Sequence, residues 1–406
     1  MPAALSKQHR IIILGGGYAG LTAAQRLSAR RRDVSLTLID DKPAFQERIR
    51  FHQLAAGQTL SSFAYRDFLE PLGVIFLQGR VSGMEPDAAM LTVRRPDGSL
   101  EEIPYDYLFY ASGSTIDAST VPGVKEYAHT FLSASVAAKV HDKLIQAGTS
   151  RVMVVGGGLT GIETAVELAE NLPHLQVVLA VDKPWTAESI PGGYSEGAVR
   201  YLHQALKQHK VELQTGGRVV GLSPDTAKTA DGREMSFDVC IWTSGFAPQA
   251  LARESGVAVN SCGQVLTDAC LRSVSHPNII AVGDAASAAT GDGGECRMSC
   301  ATGLAMATAG ARTVLALING DAPPEFRFTY LFRNVSLGRH DGLIQFVDHR
   351  DVPRNCVWTG AKAAAWKEYI CRGTLATIGW RAAEKMPAIP PLRMFPQLLR
   401  GLRQYA

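Results

Sequence analysis

The run Ile11-Ile12-Ile13-Leu14-Gly15-Gly16-Gly17-Tyr18-Ala19-Gly20 decides the fold. Its aliphatic half suits a buried parallel strand, and Leu21, Ala24 and Leu27 then recur at helical spacing. The glycines are needed for separate reasons. Gly15 permits a tight turn, Gly17 lets a pyrophosphate approach the backbone, and Gly20 lets helix and strand pack closely. Phosphates then sit on free amides where the helix starts, around Tyr18 and Ala19. A second apolar-rich run, Val34 to Ile39, ends at Asp40, twenty residues past Gly20, where a carboxylate would hold an adenosine ribose.

The pattern comes back. Val152-Met153-Val154-Val155 leads into Gly156, Gly158 and Gly161, then into a helical pattern through Ala165 and Leu168. Each fingerprint is followed by a hairpin turn, at Pro96-Asp97-Gly98 and at Asp231-Gly232. Each unit then has an apolar strand ending in a small-residue corner, Ala111-Ser112-Gly113-Ser114 in the first and Thr243-Ser244-Gly245 in the second. Duplication of one nucleotide-binding plan explains that order. Two dinucleotide sites imply two dinucleotides, with electron transfer between them as the economical reason.

Composition bounds the remaining choices. A chain of 406 residues with 39 glycines and 46% hydrophobic residues has room for two or three α/β units with real cores. The net charge of +3, with basic residues scattered, gives no support to nucleic-acid binding. No secretory signal is expected at the N-terminus, and no stretch is expected to reach the roughly 18 apolar residues of a membrane span. A cytoplasmic location follows, with a peripheral position on the inner face of the membrane as the variant. The seven cysteines, at 240, 262, 270, 296, 300, 356 and 371, show no zinc-like spacing, so neither a metal site nor a disulfide scaffold is expected.

Several single residues admit two readings. In Phe45 to His52, Arg50 is placed to reach phosphate and His52 to face a redox centre; a solvated arginine and a structural histidine are the alternatives. Ser112 and Gly113 permit close backbone approach to a ligand, or only a crowded turn. In Asn278 to Ala286, a buried strand delivers Asp284 just after Gly283, suited to a ribityl hydroxyl or to capping the next turn. Helices are expected over about Ser133 to Ile145 and Ser299 to Leu317. Beyond Pro391, residues Leu392, Phe395, Leu399 and Leu402 share a helical face that suits a membrane surface, this protein's own core, or a partner such as a second copy in a homodimer.

With these motifs in order, the sequence resembles the two-dinucleotide-binding flavoproteins, and among them the type II NADH dehydrogenases and their apoptosis-inducing-factor-like relatives. The resemblance runs over about residues 10 to 320. It implies an α/β fold of two Rossmann-like dinucleotide-binding domains, glutathione-reductase-like, with a smaller C-terminal region. The implied FAD-binding domain is discontinuous, 10–120 and 250–323; an NAD(P)H-binding domain spans 121–249, and 324–406 forms an interface or membrane-associating region.

The resemblance further implies that Gly15, Gly17, Gly20, Asp40, Gly283 and Asp284 bind FAD, that Gly156, Gly158 and Gly161 hold NADH or NADPH, and that Glu163 orients the nicotinamide. Hydride would pass to the flavin and two electrons onward to a quinone or another small acceptor. Related disulfide reductases need a close cysteine pair soon after the first ribose acid; here the first cysteine is Cys240, which excludes that activity. Cys296 and Cys300, four apart after the Gly-Asp motif, leave open a redox pair with Cys300 at the flavin, a sulfur or protein substrate, or unrelated small residues. A redox-responsive binding protein is a further alternative. Asp182 would favour NADH and Lys183 would accept NADPH, a choice the sequence leaves open.

Overall fold

The first fingerprint strand, His9–Leu14, lies in the middle of a five-stranded parallel sheet in the order Ile279–Ala281, Tyr107–Tyr110, His9–Leu14, Val34–Asp40, Ile75–Gln78. A computed structural model describes residues 8–29, 34–190, 192–291 and 293–379. Ile11 and Ile13 are fully buried, as a strand covered on both faces requires. Helix Tyr18–Ser28 turns Leu21, Ala24 and Leu27 inward and packs against helix Cys300–Asn319. Burial contributes about 2 kcal/mol for each such leucine.

The second sheet repeats the plan: Ala128–His129, Val239–Trp242, Arg151–Val155, Gln176–Ala180, Glu212–Gln214, all parallel. Each unit also carries a three-stranded antiparallel sheet, Arg80–Glu85 with Met90–Arg94 and Leu100–Pro104 in the first, Val219–Leu222 with Thr226–Thr229 and Glu234–Ser236 in the second. The sheets differ in the source of the outermost strand. In the first it arrives from Ile279–Ala281, after the second unit has been completed; in the second it is Ala128–His129, laid down beforehand. Between the units the chain crosses at Ser114–Ile116 and returns at Phe246–Pro248, and the two crossings pair as an antiparallel ribbon.

The C-terminal region is a three-stranded antiparallel sheet, Phe332–Ser336, Gly342–Val347 and Pro353–Thr359, followed by helix Gly360–Thr377. It docks on one helix of the second unit, Leu159–Asn171, through glutamates at positions 163, 167 and 170. Glu163 accepts from Ser336 N–H (2.9 Å), Glu167 from the Arg339 guanidinium (2.9 Å), and Glu170 from Arg339 N–H (3.0 Å). The fully buried Gln345 adds a clamp by accepting from Ser195 N–H (2.9 Å) and donating to Arg354 O (2.6 Å).

The two expected helices form as Ala134–Leu144 and Cys300–Asn319, capped by Ser133 and Ser299. One expectation needs correcting: Cys300–Asn319 is long and apolar enough by composition to cross a membrane. Here its Met306, Ala307, Ala311 and Val314 are core residues of the first unit. The expected helical face from Leu392 onward lies outside the described residues.

Candidate active site

Both fingerprint turns are built by the same physical conflict. Gly15 has φ +104° and Gly156 φ +126°, a region that L side chains rarely adopt. A Cβ on Gly20 would collide with Gly15 O, and one on Gly161 with Gly156 O. Gly17 and Gly158, by contrast, face open space, where a ligand backbone can come close. Each of these two residues starts its helix without a side-chain cap, whereas Ser133, Ser195 and Ser299 cap theirs. The amides around Tyr18 and Ala19, and around Leu159 and Thr160, therefore lack side-chain acceptors, as phosphate binding needs.

Three cavities connect these elements. One of about 420 Å³ is lined by Gly15, Asp40, Lys42, Arg80 and Ser112. Asp40 accepts from Gly16 N–H (2.7 Å) and Lys42 N–H (2.9 Å), and burial raises its pKa. One of about 660 Å³ is lined by Gly156, Gly158, Asp182, Arg218 and Ser244, but not by Lys183. Between them lies a central cavity of about 460 Å³, which takes Ser114, Asp284 and Cys300 from the first unit and Gly158, Glu163 and Trp242 from the second. Asp284 accepts there from Ser114 Oγ (2.6 Å), and the preceding Gly283, at φ +68°, takes a backbone conformation that L side chains rarely adopt. Gly113 also has positive φ, +68°, and faces open space.

Glu163 is buried in the second turn of its helix, so it is no first-turn dipole acid. Lys367 Nζ lies 2.7 Å from its Oε1. Burial would push the carboxyl up, but Lys367 and the Ser336 N–H hold it below the usual range. Lys367 is correspondingly raised by Glu163 against the effect of its own burial. His52 is fully enclosed and its Nε2 has no partner among the described residues; burial lowers its pKa to about 4, so the ring is neutral.

Arg50 lies apart from the other candidate residues. Its guanidinium pairs with Glu47 (3.1 Å) and Glu368 (2.9 Å), and it lines a separate cavity of about 730 Å³ under helix Gly360–Thr377, away from the glycine turns. Two carboxylates satisfy it, so a phosphate would have to displace them. Arg48, two residues earlier, lines the central cavity instead.

The two cysteines sit in different settings. Cys296 precedes the helix, its N–H bonded to Ala288 O, and its thiol faces Tyr330 and Arg297. Cys300 faces the central cavity with Lys367 and Cys371 around it, and burial pushes its thiol up to about 11. It is therefore a protonated wall residue, not a poised thiolate. Sequence reasoning missed Lys367, Arg48 and Glu368. Lys367 sits on a helix whose pattern carries no signature, 204 residues from the carboxylate it meets.

A family model, the pyridine nucleotide-disulphide oxidoreductases, matches residues 9–311, which span both sheets and the central cavity. The chain belongs to this family. Membership makes it an oxidoreductase and implies the use of FAD and NAD(P)H. The open glycines, uncapped helix starts and acids at the strand ends fit those two groups.

Among curated proteins, the chain is 29% identical to an NADH dehydrogenase-like protein of Mycobacterium tuberculosis, with 73% of this chain and 78% of that one covered. It is 26% identical to the type II NADH:quinone oxidoreductase of Staphylococcus haemolyticus, with 91% and 96% covered. Among solved structures, the fold matches sulfide:quinone oxidoreductase from Aquifex aeolicus with a TM-score of 0.77, at 21% identity, covering 94% and 93% of the chains. It also matches NDH2 from Plasmodium falciparum in complex with NADH, with a TM-score of 0.78, at 15% identity, covering 92% and 97%.

Proposed function

We propose that the protein is an NADH dehydrogenase that passes two electrons through bound FAD to a quinone-like acceptor. The observation that carries this reading is convergence. The Asp284 end of the first dinucleotide site and the Gly158–Glu163 end of the second line one cavity, so two redox rings can meet without water between them. When bound, the flavin supplies the two-electron chemistry, taking hydride from the nicotinamide and handing electrons onward.

The chain's own work is to bind and orient. Gly17, Tyr18, Ala19 and Gly113 give FAD phosphate its close approach, Asp40 takes the adenosine ribose, and Asp284 with Ser114 takes the ribityl chain. Gly156, Gly158 and Gly161 seat the nucleotide. Asp182 favours NADH because it lines the adenosine end of that cavity while Lys183 does not. Glu163, held by Lys367, orients the nicotinamide side. The acceptor meets the flavin from the 730 Å³ cavity, because Ile49 and His52 line both that space and the central one.

Purified, FAD-loaded protein should lose its flavin absorbance anaerobically on adding NADH and regain it with a short-chain quinone. A folded, fully loaded sample that neither NADH nor NADPH reduces would end this reading.

A further inference from the structure

Most cations around the central cavity and its neighbour have a carboxylate partner. Arg297 and Arg333 both reach Asp351 at 2.9 Å, Arg50 has Glu47 and Glu368, Arg339 has Glu167, and Lys367 has Glu163. Arg48 forms no such close pair among the described residues: the carboxylate that acts on it, Asp284, does so from beyond ion-pair distance. Its Nη1 donates to Ser114 O (2.5 Å), next to the Ser114–Asp284 hydrogen bond, and its guanidinium carbon stands 5.8 Å from the Phe246 ring centre. Its Nη2 is buried without a partner.

A guanidinium in a shielded wall whose one counter-charge, Asp284, stands beyond ion-pair distance and already accepts from Ser114 keeps a buried N–H unsatisfied, which is costly unless some working state supplies a nearer anion. The proposed reaction creates one at this place. Hydride leaving nicotinamide C4 carries two electrons and one proton to flavin N5; the nucleotide gains a positive charge and the reduced ring gains a negative one, unless a second proton is taken up.

We propose that Arg48 is the cation that holds the negative charge of the reduced flavin, with its free Nη2 N–H directed to the ring. This rests on the function proposed above. Electrostatically, Arg48 acts like a preorganised donor aimed at charge that develops during the reaction: it favours the reduced state over the oxidised one and so raises the potential of the bound cofactor. The fork geometry matters as well, since one arm is committed to Ser114 O and only the other is free.

The test is the two-electron midpoint potential of FAD-loaded wild type, R48K and R48Q, measured by dye-coupled reduction without nucleotide. R48Q should shift the reduced-to-oxidised ratio at a fixed potential by ten- to a hundredfold towards oxidised, about 30 to 60 mV at two electrons, with R48K in between. The wild type gives a reading that needs no mutant. Between pH 6 and 8 its potential should fall by about 30 mV per pH unit, one proton for two electrons, because the second proton is not needed.

An R48Q potential equal to wild type, or a wild-type slope of two protons per two electrons, overturns the proposal. So does an R48Q variant that only weakens nucleotide affinity, which would assign Arg48 to the nucleotide phosphates. Protein that loads FAD but is not reduced by nucleotide would sink the function proposed above while leaving this comparison readable. Protein that takes up no flavin overturns both.

Discussion

The two fingerprint half-sites share their glycine geometry and differ in their acids. In the first, Asp40 is half-buried and tied to the backbone of its own turn through Gly16 and Lys42. In the second, Asp182 is exposed, and no hydrogen bond holds it among the described residues. A rigid acid suits a resident group; a loose one suits a ligand that comes and goes every turnover. The same scaffold, used twice, is thus tuned for retention in one half and exchange in the other.

The largest expected effect separates the halves outright. G20V should abolish stable flavin loading, weakening it about a hundredfold because the new side chain meets Gly15 O. G161V should leave a yellow protein whose nucleotide affinity falls by a similar factor. Flavin spectra and nucleotide titrations check both, with circular dichroism to confirm folding. Loss of flavin from G161V would break the comparison.

Next comes the buried pair that joins the second unit to the C-terminal region. E163Q leaves Lys367 charged and enclosed, at a cost of about 3 kcal/mol in urea unfolding. Adding K367M to E163Q should recover part of it. The carboxyl is held low, so its stabilisation is present above the unfolded pKa and is lost as pH falls through the folded one. The stability gap between wild type and E163Q should therefore shrink as the pH falls below the unfolded carboxyl's pKa.

His52 gives a separable slope of comparable size. Its folded pKa of about 4 lies below the ordinary 6.5, so the unfolded chain takes up a proton first on acidification. Stability should decline from pH 6.5 towards pH 4 by up to about 3 kcal/mol at the low end, and H52Q should remove that decline. The smallest effect is at Asp182: D182A should raise the KM for NADH about tenfold, as expected for one lost hydrogen-bonding acid, and narrow the preference over NADPH. An unchanged ratio would assign the choice to Arg218.

What could be read without coordinates was what local physics encodes. Gly15, Gly17 and Gly20 report a turn, an approach and a packing contact within ten residues, and Asp40 and Asp284 follow apolar strands at recognisable distances. The repeated hairpins and corners made the duplication visible for the same reason. Arg50 and Arg48 were not separable, because both are basic residues of one short turn and only a distant partner, Glu368 for Arg50, tells them apart. The relation of Cys296 to Cys300 stayed open because it turns on where the helix begins, and helix ends are weakly encoded; it begins at Cys300. Lys367 was invisible, since nothing near it in the chain announces the carboxylate it meets.

The paired crossings at Ser114–Ile116 and Phe246–Pro248 carry a mechanical consequence. Two strands that leave and re-enter side by side, laced by backbone hydrogen bonds, resist sliding and twisting but permit bending about one line. The nucleotide unit would then swing about that line, with helix Gly360–Thr377, bonded to one unit through Lys367–Glu163 and to the other through Glu368–Arg50, as the strap that limits its travel. Whatever distance separates donor and acceptor rings at the moment of transfer would be set by the angle of that one hinge.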